Sequence, residues 1–122
     1  MHCQLRSADR TLYDGDASLV VAQSPRGEFA IMNGHAPLLA ALAGGTIRIQ
    51  ETEQEHVFVS RGGTLRVTSE GATLLVESAQ SIDEIDPAAL QSELDSLEAS
   101  NDGTGREATY IRALLAAKEQ HG

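Results

Sequence analysis

The chain has one cysteine, Cys3, so no disulfide can form within it, and a reduced compartment is expected. It has no tryptophan, and Tyr13, Phe29, Phe58 and Tyr110 are its whole set of phenylalanine and tyrosine rings. A core must therefore be built from leucine, valine, isoleucine and alanine, and no aromatic ladder exists on which bases or sugars could stack. Basic residues are also scarce: 9 against 18 acidic ones in 122 residues, a net charge of −9. A nucleic-acid binder has the opposite electrostatic footprint, so that class is excluded. The longest apolar stretch, Ala36 to Ala43, falls far short of the ~20 residues that span a bilayer, and direct membrane insertion is not expected. The first residues lack the basic, apolar and small-residue succession of a signal peptide.

Chemistry-bearing motifs are missing as well. There is no GxxxxGK phosphate loop, no GxSxG elbow and no HExxH, and Lys118 is the only lysine. None of His2, His35, His56 and His121 has a metal-ligand partner at helical spacing. Cys3 beside His2 is the nearest approach to a metal pair, and Asp83-Glu84 reads as a solvated connector rather than an acid–base pair. The chain is expected to be no enzyme and to hold no cofactor or metal.

What is present falls into two parts. Residues 1–80 hold 9 acidic and 6 basic groups, net −3, while residues 81–122 hold 9 and 3, net −6. The first part reads as strands. Thr46–Gln50, Glu55–Ser60, Thr64–Thr68 and Ala72–Glu77 alternate polar and apolar, and Ala17–Gln23 is a β-branched run. Alternation at this period turns one face to a core and the other to water. Breaks are expected at Asp14–Asp16, Pro25–Gly27, Gly44-Gly45, Arg61–Gly63 and Glu70-Gly71, where glycine allows tight turns. Such spacing suggests an antiparallel sandwich or barrel. Gly34–Ala43 does not alternate, and Pro37 cannot serve a central strand. It is expected to be an ordered apolar loop or a short irregular piece, with Leu38, Leu39 and Leu42 available for burial.

The second part reads as two helices. Asp86 is a capping carboxylate and Pro87 occupies the first helical position. Leu90, Leu94 and Leu97 then form one narrow stripe. Ser100–Gly105 breaks the helix, and a second pattern from about Arg106 to Gln120 sets Ile111, Leu114, Leu115 and Lys118 on one side. Each helix is at or below the length that holds alone in water, so the hairpin must pack on the sandwich or on a partner. The expected division is a β domain at 1–83 and a helical hairpin at 84–122.

The succession Leu12–Gly15, Gly27-Glu28-Phe29-Ala30-Ile31, Gly34-His35-Ala36-Pro37-Leu38-Leu39, Gly45–Ile49, Gly62–Val67 and Glu84-Ile85-Asp86 resembles the epsilon subunit of F-type rotary ATP synthases. That resemblance covers residues 1–86 most closely and is architectural beyond. It implies a flattened antiparallel β-sandwich followed by an antiparallel two-helix hairpin, in a non-catalytic subunit of the central stalk. Its partners would be gamma and the c-subunit ring, with the alpha–beta head within reach of the hairpin, peripheral to the cytoplasmic face of the cell membrane. The matching positions place Glu28, His35, Pro37, Leu38, Leu39 and Leu42 at the interface with the ring and gamma, where an acidic Glu28 suits a basic c-subunit loop. Ala30 and Asn33 stand where the family usually has Gly and Pro. The alternative is a freestanding β-sandwich that binds a small ligand or acts as an adaptor, with the Leu38–Leu42 segment lining a pocket.

In some members of that family the hairpin binds ATP through Ile/Leu-Asp-x-x-Arg-Ala, with a Glu several residues earlier. Here Asp86 is kept, Ala89 stands at the arginine position, Leu90 at the last alanine and Gln80 at the Glu. A triphosphate needs cationic or N–H donors, and the matching cation is missing. Inhibitory hairpins of the family commonly have a basic second helix that engages the head. This one has only Arg106, Arg112 and Lys118 in a net acidic hairpin, so it is poorly suited to such a brake. Titration of the purified chain with MgATP is expected to give no micromolar binding isotherm. A micromolar dissociation constant by calorimetry would refute the motif reading.

Overall fold

The computed structural model describes residues 1–32, 34, 36–99 and 106–121, without the side chains of Glu98, Arg106 and His121. Ten strands come first: β1 (His2–Arg6), β2 (Thr11–Asp16), β3 (Leu19–Ser24), β4 (Gly27–Met32), β5 (Leu38–Leu42), β6 (Gly45–Gln50), β7 (Glu55–Ser60), β8 (Gly63–Thr68), β9 (Gly71–Val76) and β10 (Ala79–Ser81). A single 3-10 turn, Ile82–Glu84, leads into α1 (Pro87–Ala99) and α2 (Arg106–His121).

The strands form two sheets of five, ordered β2-β1-β9-β8-β5 and β10-β7-β6-β3-β4. All pairings are antiparallel except β1 with β9. The inward residues are those the alternation selects. Leu5, Val20, Ile49, Leu65 and Leu74 are wholly buried, with Ile31, Ile47 and Phe58 nearly so. Aliphatic side chains of similar size on both inner faces fill the space between two packed sheets. Gly71, which starts β9, has φ +147°, and a Cβ there would lie 2.0 Å from the His2 carbonyl oxygen. Only glycine lets β9 pass that close to β1.

Two expectations are corrected. Leu38–Leu42 is a strand, paired residue for residue with β8 from Leu38↔Val67 to Leu42↔Gly63. Its apolar residues hide a period-2 pattern, because Leu38, Ala40 and Leu42 face inward while Leu39 and Ala41 are turned out. Pro37 is compatible with this, since it precedes an edge strand rather than interrupting a central one. Likewise Asp14–Asp16 is no break but the end of β2, with Asp14 opposite Gln4, Gly15 opposite Cys3 and Asp16 opposite His2. Ala30 needs no unusual backbone, for it sits in the regular ladder opposite Val21.

The hairpin is folded down on the outer face of the β6–β7 region. Asp86 Oδ1 accepts the amides of Ala88 (3.1 Å) and Ala89 (3.4 Å), which fixes the start of α1 as the sequence implies. Of the Leu90–Leu97 stripe, Leu94 is buried, against Ala108 and Ile111 of α2, with Leu90 and Leu97 packed beside them. The connection at 100–105 lies outside the described residues. On the sandwich side, Val57 and Val59 of β7 form a second core with Ile82, Ile85, Tyr110, Leu114 and Ala117. The Tyr110 hydroxyl donates to the Val59 carbonyl (3.2 Å). Arg61 lies 3.9 Å over the Tyr110 ring and donates to both Glu107 oxygens (3.0 and 2.8 Å). Lys118 donates to the Ile82 carbonyl (3.3 Å).

Leu114 is central to that second core, and Leu114→Ala is expected to cost about 2–4 kcal/mol there. Hydrogen exchange checks where the loss falls. Amides of α1 and α2 should exchange faster while those of β1, β8 and β9 keep their protection. An equal loss across sheets and helices would show that the hairpin does not open independently.

Candidate functional site

The edge made by β3, β4 and β5 contains the residues singled out by sequence. A two-residue loop, Pro25-Arg26, joins β3 to β4, with Ser24 paired to Gly27. Ser24 Oγ donates to the Gly27 carbonyl (2.9 Å) and accepts the Arg26 amide (3.2 Å), and Gly27 takes φ +129°. This turn delivers Glu28 as the second residue of β4. It lies opposite Gln23, whose Nε2 donates to Glu28 Oε2 (3.1 Å) and to the Thr46 carbonyl (3.4 Å). Glu28, Ala30 and Met32 share the outward face of β4, and Phe29 and Ile31 point inward. Glu28 also borders a shallow hollow with Gln23, Thr46, Arg48 and Gln120, which puts the end of α2 beside it.

From Met32 the chain crosses to the other sheet through residues 33–37 and returns as β5. Asn33 and His35 lie outside the described residues, so the placement expected for His35 has no structural counterpart here. Pro37 is exposed and shares a hollow with Met1, Met32 and Glu70. Leu38 is half-buried and packs on the main core. Leu39 is 74% exposed, contrary to its expected burial, and Leu42 is 6% exposed. At the far end of β5, the Ala43 amide donates to the Gln23 carbonyl (2.9 Å).

The arrangement thus has two ends. Gln23 gathers Glu28 and the end of β5 at one of them, while Met32, Pro37 and Leu38 cluster at the other. Four residue steps along β4 lead from Glu28 to Met32, a span of about 13 Å. The structure brings Glu28 near Leu42 and not near Pro37. Sequence reading missed Gln23 and the 63% exposed Met32. Met32 could have been found by extending the Glu28-Ala30 alternation one step. Gln23 could not, because its role depends on which strand lies across from it.

Other titratable groups are committed to structure. The Tyr13 hydroxyl donates to Glu51, and burial followed by that bond raises the phenol. The same bond, with help from Gln54, lowers the Glu51 carboxyl. The His56 ring stands 4.9 Å from that of Tyr13, with its Nε2 3.5 Å from Glu51. His2 pairs with Asp14, and that bond lowers the Asp14 carboxyl. His2 is thereby separated from Cys3, which is wholly buried in the main core. Asp86 is occupied as a helix cap, and Ala89 beside it is exposed. Among the described residues no three of His, Cys, Asp and Glu come together as a metal set. No helix of the described residues is long and apolar enough to cross a membrane.

Residues 1–82 match the family described as ATP synthase, Delta/Epsilon chain, beta-sandwich domain. Among curated proteins, the chain is 34% identical over 113 residues to the ATP synthase epsilon chain of Streptomyces avermitilis, covering 92% of this chain and 91% of that one. It is 37% identical over 119 residues to that of Rhodococcus opacus, covering 93% and 98%. Among solved structures, it superimposes on a chain of the Euglena gracilis mitochondrial ATP synthase, resolved with OSCP, F1 and c-ring, with TM-score 0.71 at 22% identity. That match covers 95% of this chain and 74% of the other. A chain of the Tetrahymena thermophila mitochondrial ATP synthase central stalk and c-ring gives TM-score 0.62 at 16% identity, covering 96% and 95%.

Burial pushes the Cys3 thiol up to about 12. Thiolate is the reactive form, so alkylation of the native chain at pH 8 is expected to run at least roughly a thousandfold slower than in denaturant. Labelling by iodoacetamide followed by mass spectrometry checks this, and comparable rates in the two conditions would place Cys3 outside the core.

Proposed function

The chain belongs to the ATP synthase delta/epsilon-chain family, and we propose that it works as a non-catalytic subunit of the central stalk, joined to gamma and to the c ring. The observation that carries this reading is the match across the whole sandwich, extended by relatives whose identity runs on through the hairpin. Rotation of the ring passes to gamma, and this subunit holds the two together. Its location is then peripheral, at the cytoplasmic face of the energy-transducing membrane. The sandwich of residues 1–83 docks, and the hairpin of residues 84–122 is the part able to exchange partners.

Within this reading Glu28 is the group that meets the basic loop of a c subunit. Gln23 supports the role by fixing one carboxylate oxygen while the side chain stays exposed. A pre-positioned carboxylate loses less freedom on binding than a free one. Pro37 and Leu39 offer exposed apolar surface on the same edge, with His35 assigned beside them by sequence alone. Leu38 and Leu42 act from within, by seating β5 on the core. The same burial disfavours a freestanding ligand-binding module, since Leu42 fills the core instead of lining a pocket. Nucleotide binding is not part of the function proposed, because Asp86 already caps α1 and Ala89 supplies no cation.

Glu28→Lys tests the reading in membranes that contain the whole complex. Reversing one close charge pair at an interface is expected to cost about 2–5 kcal/mol of docking. Proton-driven ATP synthesis should fall, while the subunit still folds. Unchanged synthesis together with unchanged assembly would remove Glu28 from the interface. Failure of the unaltered chain to copurify with gamma would remove the central-stalk reading itself.

A further inference from the structure

The chain contains three sulfur atoms, on Met1, Cys3 and Met32. Two of them are shielded. Cys3 is wholly buried in the main core, and burial pushes its thiol up to about 12, so little thiolate forms near neutral pH. Met1 is half-buried and packs on the same core. Met32 differs from both, being 63% exposed. The chain has no tryptophan and both tyrosines are buried, which leaves the Met32 thioether as the open target for a mild oxidant.

The fold puts Met32 in this position. Strand β4 is the outer strand of its sheet, so Met32 has a paired neighbour on one side only, Leu19 of β3. The alternation that turns Glu28 and Ala30 outward turns Met32 outward as well. Its side chain borders a hollow of about 460 Å³ with Met1, Pro37 and Glu70, which gives a small solute a second approach to the sulfur. Both methionines of the chain line this hollow, so their different exposure gives a comparison within one molecule.

We propose that Met32 is an oxidation site, through which a peroxide weakens the seating of this chain in its complex. The O–O bond of hydrogen peroxide breaks, one oxygen atom joins the thioether sulfur, and the other leaves as water. The sulfur is oxidised by two electrons and the peroxide is reduced by two, with no proton taken from the protein. A flexible apolar side chain becomes a polar, chiral sulfoxide. It stands beside Pro37, on the edge given to docking above. The consequence for seating rests on the central-stalk reading, whereas the site of oxidation does not. Docking covers that edge in this reading, so the free chain is the form that reacts. A methionine sulfoxide reductase returns the thioether, which makes the change reversible.

Dilute hydrogen peroxide acting on the purified full-length chain, followed by digestion and mass spectrometry, tests the site. Met32 should gain one oxygen at least roughly fivefold faster than Met1, while Cys3 stays unmodified. Equal rates at the two methionines, or oxidation of Cys3 ahead of Met32, would overturn the assignment. Circular dichroism of the oxidised chain should be unchanged, and a collapsed spectrum would place Met32 among the residues that hold the fold. Rebinding to membranes that hold the complex without this subunit tests the consequence. The oxidised chain should bind roughly fivefold more weakly, and Met32→Gln should bind as weakly with no peroxide. Met32→Leu should bind alike before and after treatment, and reductases for both sulfoxide epimers should restore the unaltered chain. Undiminished binding by the oxidised chain would overturn the regulatory inference and leave the central-stalk reading standing. No rebinding by the untreated chain would overturn that reading and the consequence with it, while the mass measurement still decides the site.

Discussion

Strand β7 has to satisfy two cores at once. Phe58 points into the sandwich, while Val57 and Val59 point out and are buried all the same, under Tyr110 and Leu114. Had the outward positions of β7 been polar, as in a solvated antiparallel strand, the hairpin would have nothing to rest on. Helices of 13 and 16 residues with such a narrow apolar stripe do not hold alone in water. Their persistence in this position is therefore a property of β7 more than of the helices. The polar contacts around it orient the contact. Tyr110 binds the Val59 carbonyl, and Arg61 lies on the Tyr110 ring and on Glu107, at the start of α2.

With one sheet covered in this way, the molecule has a direction. The covered side holds the net acidic hairpin. On the other side Leu39 and Leu75 are exposed, and Met32 is exposed on β4. A small sandwich must expose much of its surface in any case, so scattered apolar residues would mean little.

Local rules were legible residue by residue. Asp86 and Pro87 announced a helix start and produced one. Pro25–Gly27, Gly44-Gly45, Arg61–Gly63 and Glu70-Gly71 marked turns while Asp14–Asp16 did not, and the alternating runs found their strands. The main error has a physical cause. Leu38–Leu42 is an unbroken apolar run because its outward residues, Leu39 and Ala41, are apolar like its inward ones. Period-2 reasoning assumes a polar outer face, which Leu39 and Ala41 do not supply.

From the sequence alone came the division into strands and helices, the aliphatic core and the acidic hairpin, because these depend on neighbours a few residues apart. Matching motifs supplied the family and named Glu28. Only the tertiary structure decided that Gln23 holds Glu28, that Leu39 is turned outward, and that Arg6 and Arg66 share one bare face. Arg6 and Arg66 are separated by 60 positions of chain and meet because β1 runs beside β9 and β9 beside β8. Sheet order of that kind is set by which edges find each other on folding, and no periodicity along the chain records it.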